Sequence, residues 1–245
     1  MDKTRLSMVI GINEERYSVP YLPLISCIIM GVNLFERSLL MKFAHVLGSL
    51  VLASCFYLFV FEDSASAMMD TGSRGSEVEH MQRVLEKLEY FHTTPTGYYG
   101  SVTKEAVRDF QADFGLRADG VAGTNTLNML SNLEMIAHVV HGESRGEIYE
   151  GKVAVASVIL NRVQSSEFPG STYGVIYQQN AFTALNDGQY WLTPDASSYR
   201  AAKDAYFGWD PSEGATYYYN PSGVSDEWIY SRDVIKTIGQ HVYAR

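Results

Sequence analysis

The sequence predicts an α+β protein, mainly α, in which a small module of three helices precedes a larger helix-rich domain that closes on a small β-sheet. Apolar residues recur at helical steps through most of the chain beyond Val78, whereas short strands are expected only late, from near Tyr217-Tyr218-Tyr219 onward. Length agrees, since 245 residues accommodate one large domain or two smaller ones. The organisation favours two, over 68–131 and 132–245, preceded by a segment over 1–67 that is expected to be removed.

That leading segment reads as an upstream extension followed by a secretory signal over 41–67. Met41-Lys42 opens it, an apolar run from Val46 to Phe61 follows, and Ala65-Ser66-Ala67 matches the small-residue cleavage pattern, with cleavage expected after Ala67. Two other readings stay open. The run from Phe43 to Phe61 is long enough for an uncleaved anchor. Leu52-Ala53-Ser54-Cys55 resembles a lipoprotein site, although apolar Phe56 to Phe61 follows where polar residues would be expected. The earlier stretch from Leu22 to Phe35 is broken by Pro23 and is too short to span a bilayer.

Both cysteines, Cys27 and Cys55, precede the expected cleavage point, so the remaining chain has neither disulfide nor thiol nucleophile. Beyond Ala67, 14 Lys and Arg face 22 Asp and Glu. That acidic balance argues against a nucleic-acid partner, which needs basic patches. Neutral sugars, read by hydrogen bonds and aromatic faces, fit better.

In the first module Val78, Met81, Leu85 and Leu88 form one amphipathic stripe. Thr103 is placed to cap a second helix whose Ala106, Phe110 and Phe114 face inward and which Gly115 ends. Thr124 is placed to cap a third, carrying Leu127 and Leu130. Loops are expected over Thr93 to Gly100 and Arg117 to Gly123.

The second domain holds all three Trp and most of the 17 Tyr. Its order reads as a helix over Leu133 to His141, a helix over Gly151 to Val163 that is apolar almost all round, and a short helix over Thr172 to Gln178. A loop through Phe182-Thr183 and Asp187-Gly188 leads to a helix over Ala196 to Phe207, capped by Asp195 after Pro194. Strands follow near Thr216 to Tyr219, Trp228 to Tyr230 and Thr237 to Tyr243, and in the first of them Tyr218 is expected to oppose its two neighbours.

His141-Gly142-Glu143-Ser144-Arg145-Gly146-Glu147 joins two of these helices. Leu133, Ile136, Ala137 and Val140 recur at steps of three and four, and Glu143 continues their stripe, while Gly142 and Gly146 suggest that the helix stops there. Glu143 therefore reads as a carboxylate aimed into a core, beside a helix that would make it resist ionising, as a general acid must. The competing reading is a solvated Glu or a salt bridge to Arg145.

Ser73-Arg74-Gly75-Ser76-Glu77-Val78, Met81-Gln82, Gly97-Tyr98-Tyr99-Gly100, Phe110-Gln111, Asp119-Gly120-Val121 and Thr126-Leu127 resemble the peptidoglycan-binding domain of bacterial wall hydrolases. In that family a groove beside the first two helices holds the wall polymer. The resemblance makes Tyr98, Tyr99 and Gln111 candidates for it, against a structural reading in which Tyr99 and Gln111 pack and brace loops.

His141 to Glu147, Tyr149-Glu150-Gly151, Leu160-Asn161-Arg162-Val163, Ala181-Phe182-Thr183-Ala184, Gly208-Trp209-Asp210-Pro211, Tyr217 to Pro221, Trp228 and Ile238-Gly239 with His241 resemble the spore cortex-lytic enzymes of endospore-forming bacteria. That resemblance implies a lysozyme-like catalytic domain with one essential Glu, matched here by Glu143. It also implies lytic transglycosylase action on the MurNAc-GlcNAc strands of cortex peptidoglycan during germination, by a secreted protein lying at the cortex outside the inner membrane. No cofactor is implied. In such an enzyme Glu143 protonates the leaving oxygen and then takes the proton of the muramoyl C6 hydroxyl, giving 1,6-anhydromuramoyl ends.

Phe182 and Thr183 are carried over as substrate-positioning residues, with Glu150, Tyr218 and Asn220 as further substrate contacts. Helix-dipole capping accounts for Glu147 and Glu150 equally well, and strand-end packing for Tyr218 and Asn220. A separately encoded regulatory partner is a further expectation from relatives. Those relatives usually carry a longer linker than the few residues between Leu130 and Leu133, which puts independent swinging of the two domains in doubt. The alternatives are a muramidase or glucosaminidase on the same substrate, or a wall-binding protein that no longer cuts. A zinc peptidase is the other rival, since His138 and His141 are three apart, but H-E-x-x-H is absent and no metal is expected.

Overall fold

A computed structural model describes residues 68–223 and 227–245, so the signal-like segment and its expected cleavage point lie outside the described residues. Within them are seven α-helices: α1 (Ser76–Lys87), α2 (Ser101–Asp113), α3 (Thr124–Ser144), α4 (Tyr149–Gln164), α5 (Thr172–Ile176), α6 (Thr183–Asn186) and α7 (Ala196–Tyr206). Three strands, β1 (Tyr217–Tyr219), β2 (Val234–Ile238) and β3 (His241–Ala244), form an antiparallel sheet in the order β1-β3-β2. The mainly helical α+β architecture read from the sequence is the one observed.

The first module is organised by two buried glutamines, one on each of its first two helices. Gln82 accepts the N–H groups of Thr96 and Gly97, both at 2.9 Å, and donates to Tyr98 O at 2.9 Å and Thr103 Oγ1 at 2.8 Å. Gln111 repeats the device: it accepts Gly120 N–H at 2.8 Å and donates to Val121 O and Thr126 Oγ1, both at 2.9 Å. Each amide satisfies the loop that follows its own helix, so both loops stay covered without leaving buried polar groups unpaired. This corrects the capping expectation. Gly100 and Gly123 are the N-caps of α2 and α3, Thr124 is the first residue of α3, and Thr103 turns inward to its glutamine, as Thr126 does to the other.

A second correction concerns α3. The expected third helix and the expected helix over Leu133 to His141 are one rod of 21 residues, about 32 Å long, which crosses the expected domain boundary without a break. It also continues through Gly142, where a stop was expected, because its apolar stripe is buried along its length: Leu130, Leu133, Ile136, Ala137 and Val140 are all inaccessible or nearly so. Gly142 serves packing here. A Cβ at that position would lie 2.5 Å from the Cβ of Ala184, so the missing side chain lets α6 approach the helix end.

Helix α4 is buried all round, as its composition predicts, from Val153 to Ile159. It packs against α3, α7 and the sheet. Asp195 caps α7 by accepting Ser198 N–H at 2.8 Å. The stretch Trp228 to Tyr230, expected as a strand, lies in a 3-10 turn over Glu227–Ser231. The last expected strand is a hairpin, β2 and β3, folded at Gly239-Gln240. In β1, Tyr218 faces His241 and Tyr243 while Tyr217 packs on Phe168 and Trp228, so the alternation holds.

Candidate active site

The end of α3 presents Glu143 half-buried, across from the Phe182 to Ala184 segment. Thr183 Oγ1 donates to both its carboxylate oxygens, at 2.9 and 3.1 Å, and the backbone N–H of Ala184 donates to Oε1 at 2.6 Å. Tyr218 brings its hydroxyl to the same carboxylate from β1. Burial, and then the charge of Glu143, hold that phenol protonated well above its usual range, so it faces the carboxylate as a donor. Arg145, the expected salt-bridge partner, turns away and donates to Gln189 Oε1 at 2.7 Å.

Phe182 and Arg162 support this arrangement from below. Phe182 is buried at the N-cap of α6, and the guanidinium of Arg162 lies 5.1 Å over its ring. Arg162, on α4 and only 7% exposed, donates through Nε to Thr216 O at 2.7 Å and so ties β1 to the helix. Its charge acts on both Glu143 and Tyr218. Sequence reading left Arg162 inside a motif without a role. Its signal was a cation in an apolar helix, at a position that the surrounding periodicity buries.

The other candidates stand apart from this cluster. Glu150 is exposed in the first turn of α4, where its charge favours the helix dipole. Asn220 closes the turn after β1, its Oδ1 accepting from Ser222 N at 3.0 Å and Ser222 Oγ at 2.7 Å. Glu147 does the opposite of what its place in a surface turn suggests, with a side chain only 7% exposed and directed at the β2–β3 turn. His138 and His141 engage separate partners, Tyr190 O and Asp195 N–H.

In the first module Tyr99 is fully buried and donates to Gly120 O at 2.9 Å, and Gln111 is the loop brace described above. Tyr98 is 41% exposed, with Arg74 stacked 4.1 Å over its ring. A groove of about 650 Å³ runs instead between α1 and α3, lined by Met81, Val84, Leu127 and Leu130 with His80 and Glu134 at its polar side, and by none of those three residues.

The geometry is that of a helical module with braced loops followed by a domain that presents one donor-held carboxylate at a helix end. Residues 74–130 match the family model for a putative peptidoglycan binding domain, and residues 146–244 match that for cell wall hydrolases, beginning just after Glu143. The spore cortex-lytic enzyme of Bacillus cereus is 33% identical over 257 residues, covering 86% of this chain and 98% of the relative. That of Bacillus subtilis is 49% identical over 113 residues, 46% of this chain and 37% of the relative. Among solved structures, the catalytic domain of the germination-specific lytic transglycosylase SleB from Bacillus anthracis is 50% identical, with a TM-score of 0.45 over 46% of this chain and 93% of that one. The chain belongs to the spore cortex-lytic enzyme family.

Proposed function

We propose that this protein is a lytic transglycosylase that cleaves the MurNAc-GlcNAc strands of spore cortex peptidoglycan during germination, with Glu143 as its single acid–base group. The observation that carries the reading is the Glu143 carboxylate held at the end of α3 by Thr183 and the Ala184 N–H. Membership in the cortex-lytic family and a peptidoglycan-binding match ahead of the site supply the substrate.

The chemistry follows from what surrounds that group. Retaining and inverting glycosidases both require a second carboxylate, as nucleophile or as base. Glu147, next along the chain, is turned toward the Gln240 N–H and away from that role. The substrate's own C6 hydroxyl replaces it. Glu143 gives its proton to the glycosidic oxygen as the C1–O bond breaks, and the C6 oxygen then bonds C1 while its proton returns to Glu143. The step is intramolecular, so effective molarity favours it over attack by water.

Secretion across the cytoplasmic membrane, with loss of the segment through Ala67, delivers the protein to the cortex. There the first module, including the exposed ring of Tyr98, holds the polymer. A separately encoded partner keeping the enzyme silent before germination belongs to this reading. Mass spectrometry of digested cortex is the test. Anhydromuramoyl ends that vanish with Glu143→Gln are expected, while reducing ends would make the enzyme a muramidase or glucosaminidase. Undiminished release by the variant would remove Glu143 from the chemistry and leave a wall-binding role.

A further inference from the structure

Glu147 lies four residues beyond Glu143, in the turn between α3 and α4, and nothing in the reaction above uses it. Its side chain is nonetheless 7% exposed, an unusual place for a carboxylate, since burying a charge costs several kcal/mol unless partners repay it. The turn joining β2 to β3 is shaped around it. Gln240 donates its backbone N–H to Oε2 at 3.1 Å, and Gly239 occupies the left-handed region at φ 58°, where any side chain would collide with the Glu147 carboxylate.

The next residue, His241, is 8% exposed and points Nδ1 at Oε1 from 3.8 Å. Among the described residues that buried nitrogen has no hydrogen-bond partner. The imidazole stands edge-on to the Tyr218 ring, with centroids 5.2 Å apart and planes at 71°, and Tyr218 brings its hydroxyl to Glu143. The contacts therefore run from Glu147 through His241 and Tyr218 back to the Glu143 carboxylate.

We propose that Glu147 and His241 are a positioning pair for the reaction, holding Tyr218 against Glu143 and releasing it when His241 is protonated. The inference rests on the assignment of Glu143 above. Four ionisable groups face His241: Glu147 from the α3–α4 turn, Glu143 from α3, Tyr218 from β1 and Tyr243 from its own strand. Burial lowers its pKa, and the two carboxylates oppose that. Neutral, with Nδ1 turned to the Glu147 carboxylate, the ring is held edge-on to Tyr218 and supports it. Protonated, it gains an ion pair with Glu147 at the expense of that contact.

Glu147→Gln tests this cleanly, because a Gln carbonyl still accepts the Gln240 N–H in the same volume. The full chain is assayed for rate on cortex peptidoglycan against pH, with thermal unfolding alongside. A fall in kcat of about 10- to 100-fold is expected, the scale of a reacting group displaced by about 1 Å. KM should stay within about threefold, as for an interaction made in the transition state. The acid limb of the profile should move to lower pH, since a carboxylate that favours protonation of His241 has gone.

Wild-type kcat and an unmoved acid limb would overturn the proposal, as would proportionate losses of kcat, KM and melting temperature. Should Glu147→Gln fail to fold, His241→Phe keeps the ring edge on Tyr218 without a titrating nitrogen. It must abolish the acid limb, and an acid limb that persists overturns the proposal. An active Glu143→Gln variant would instead sink the assignment of the site, whereas a dead Glu143→Gln beside a wild-type Glu147→Gln would sink this inference alone.

Discussion

The proposed acid–base role of Glu143 needs its oxygens to face one direction, and the side chain that holds both of them is Thr183. Its hydroxyl reaches each oxygen, whereas the Ala184 N–H reaches only Oε1. Thr183 is exposed, so replacing it disturbs little packing. Thr183→Val removes the hydroxyl and keeps the shape. A lost hydrogen bond to a charged group is worth about 1.5–3 kcal/mol, so kcat is expected to fall about 10- to 100-fold, with Thr183→Ser restoring most of it. Steady-state rates of the two variants on cortex peptidoglycan, read beside their melting curves, check this.

At the scale of elements, the site depends on how short segments are fastened to the long helices. The loop carrying Pro194 enters α7 through Asp195, whose side chain accepts from Ser198 N and Oγ, each at 2.8 Å, and from Ser197 Oγ at 2.9 Å. These donors hold its carboxyl below the usual range although burial pulls the other way. Lys152 of α4 adds its ammonium at 3.5 Å, and the Asp195 N–H meets His141 at 3.4 Å, so the cap also ties α7 to α4 and α3. Asp195→Ala is expected to lower unfolding stability by about 0.5–2 kcal/mol, the usual cost of losing an N-cap. Urea unfolding measures it, and an unchanged midpoint would show that the cap contributes nothing.

Across the whole molecule, the expected boundary at residues 131–132 is spanned by α3, and the two parts share buried surface on both sides of it. Phe114 of the first module meets Tyr206 and Phe207 at 5.0 and 4.9 Å, and Lys203 donates to Leu88 O at 2.8 Å. His80 on α1 pairs with Glu134 on α3 at 3.0 Å, and Tyr199 on α7 donates to the same carboxylate at 3.2 Å. The hydrogen bond to Glu134 raises His80 above its ordinary value. Burial would raise Glu134, but His80, His138 and Tyr199 together outweigh it and lower it. A raised histidine stabilises fully below its unfolded value of about 6.5, and loses that contribution as pH rises through the folded value. The buried His141 and His241 are lowered, and so act with the opposite sign. Comparing wild type with His80→Gln isolates the first effect: the midpoint difference is expected to be positive near pH 6 and to vanish at alkaline pH. A difference that grows with pH would contradict it.

The sequence by itself determined the kind of each major helix, the buried helix around Val155, the Asp195 cap, the alternating faces of Tyr217 and Tyr218, and Glu143 as a carboxylate on an apolar stripe. All of these follow from local periodicity, which states that a face will be buried without naming what buries it. Tertiary structure alone decided the partners. Thr183 reaches Glu143 across 40 positions of chain. Gly142 proved to be a point of close approach because Ala184 fills the space a side chain would take. Tyr99 and Gln111 turned inward because each meets a backbone group of Gly120 in the loop that folds over them. Glu147, in a turn that reads as surface, is buried because the hairpin from the far end of the chain folds over it. Its carboxylate, four residues past Glu143, has a neighbour that no local pattern encodes.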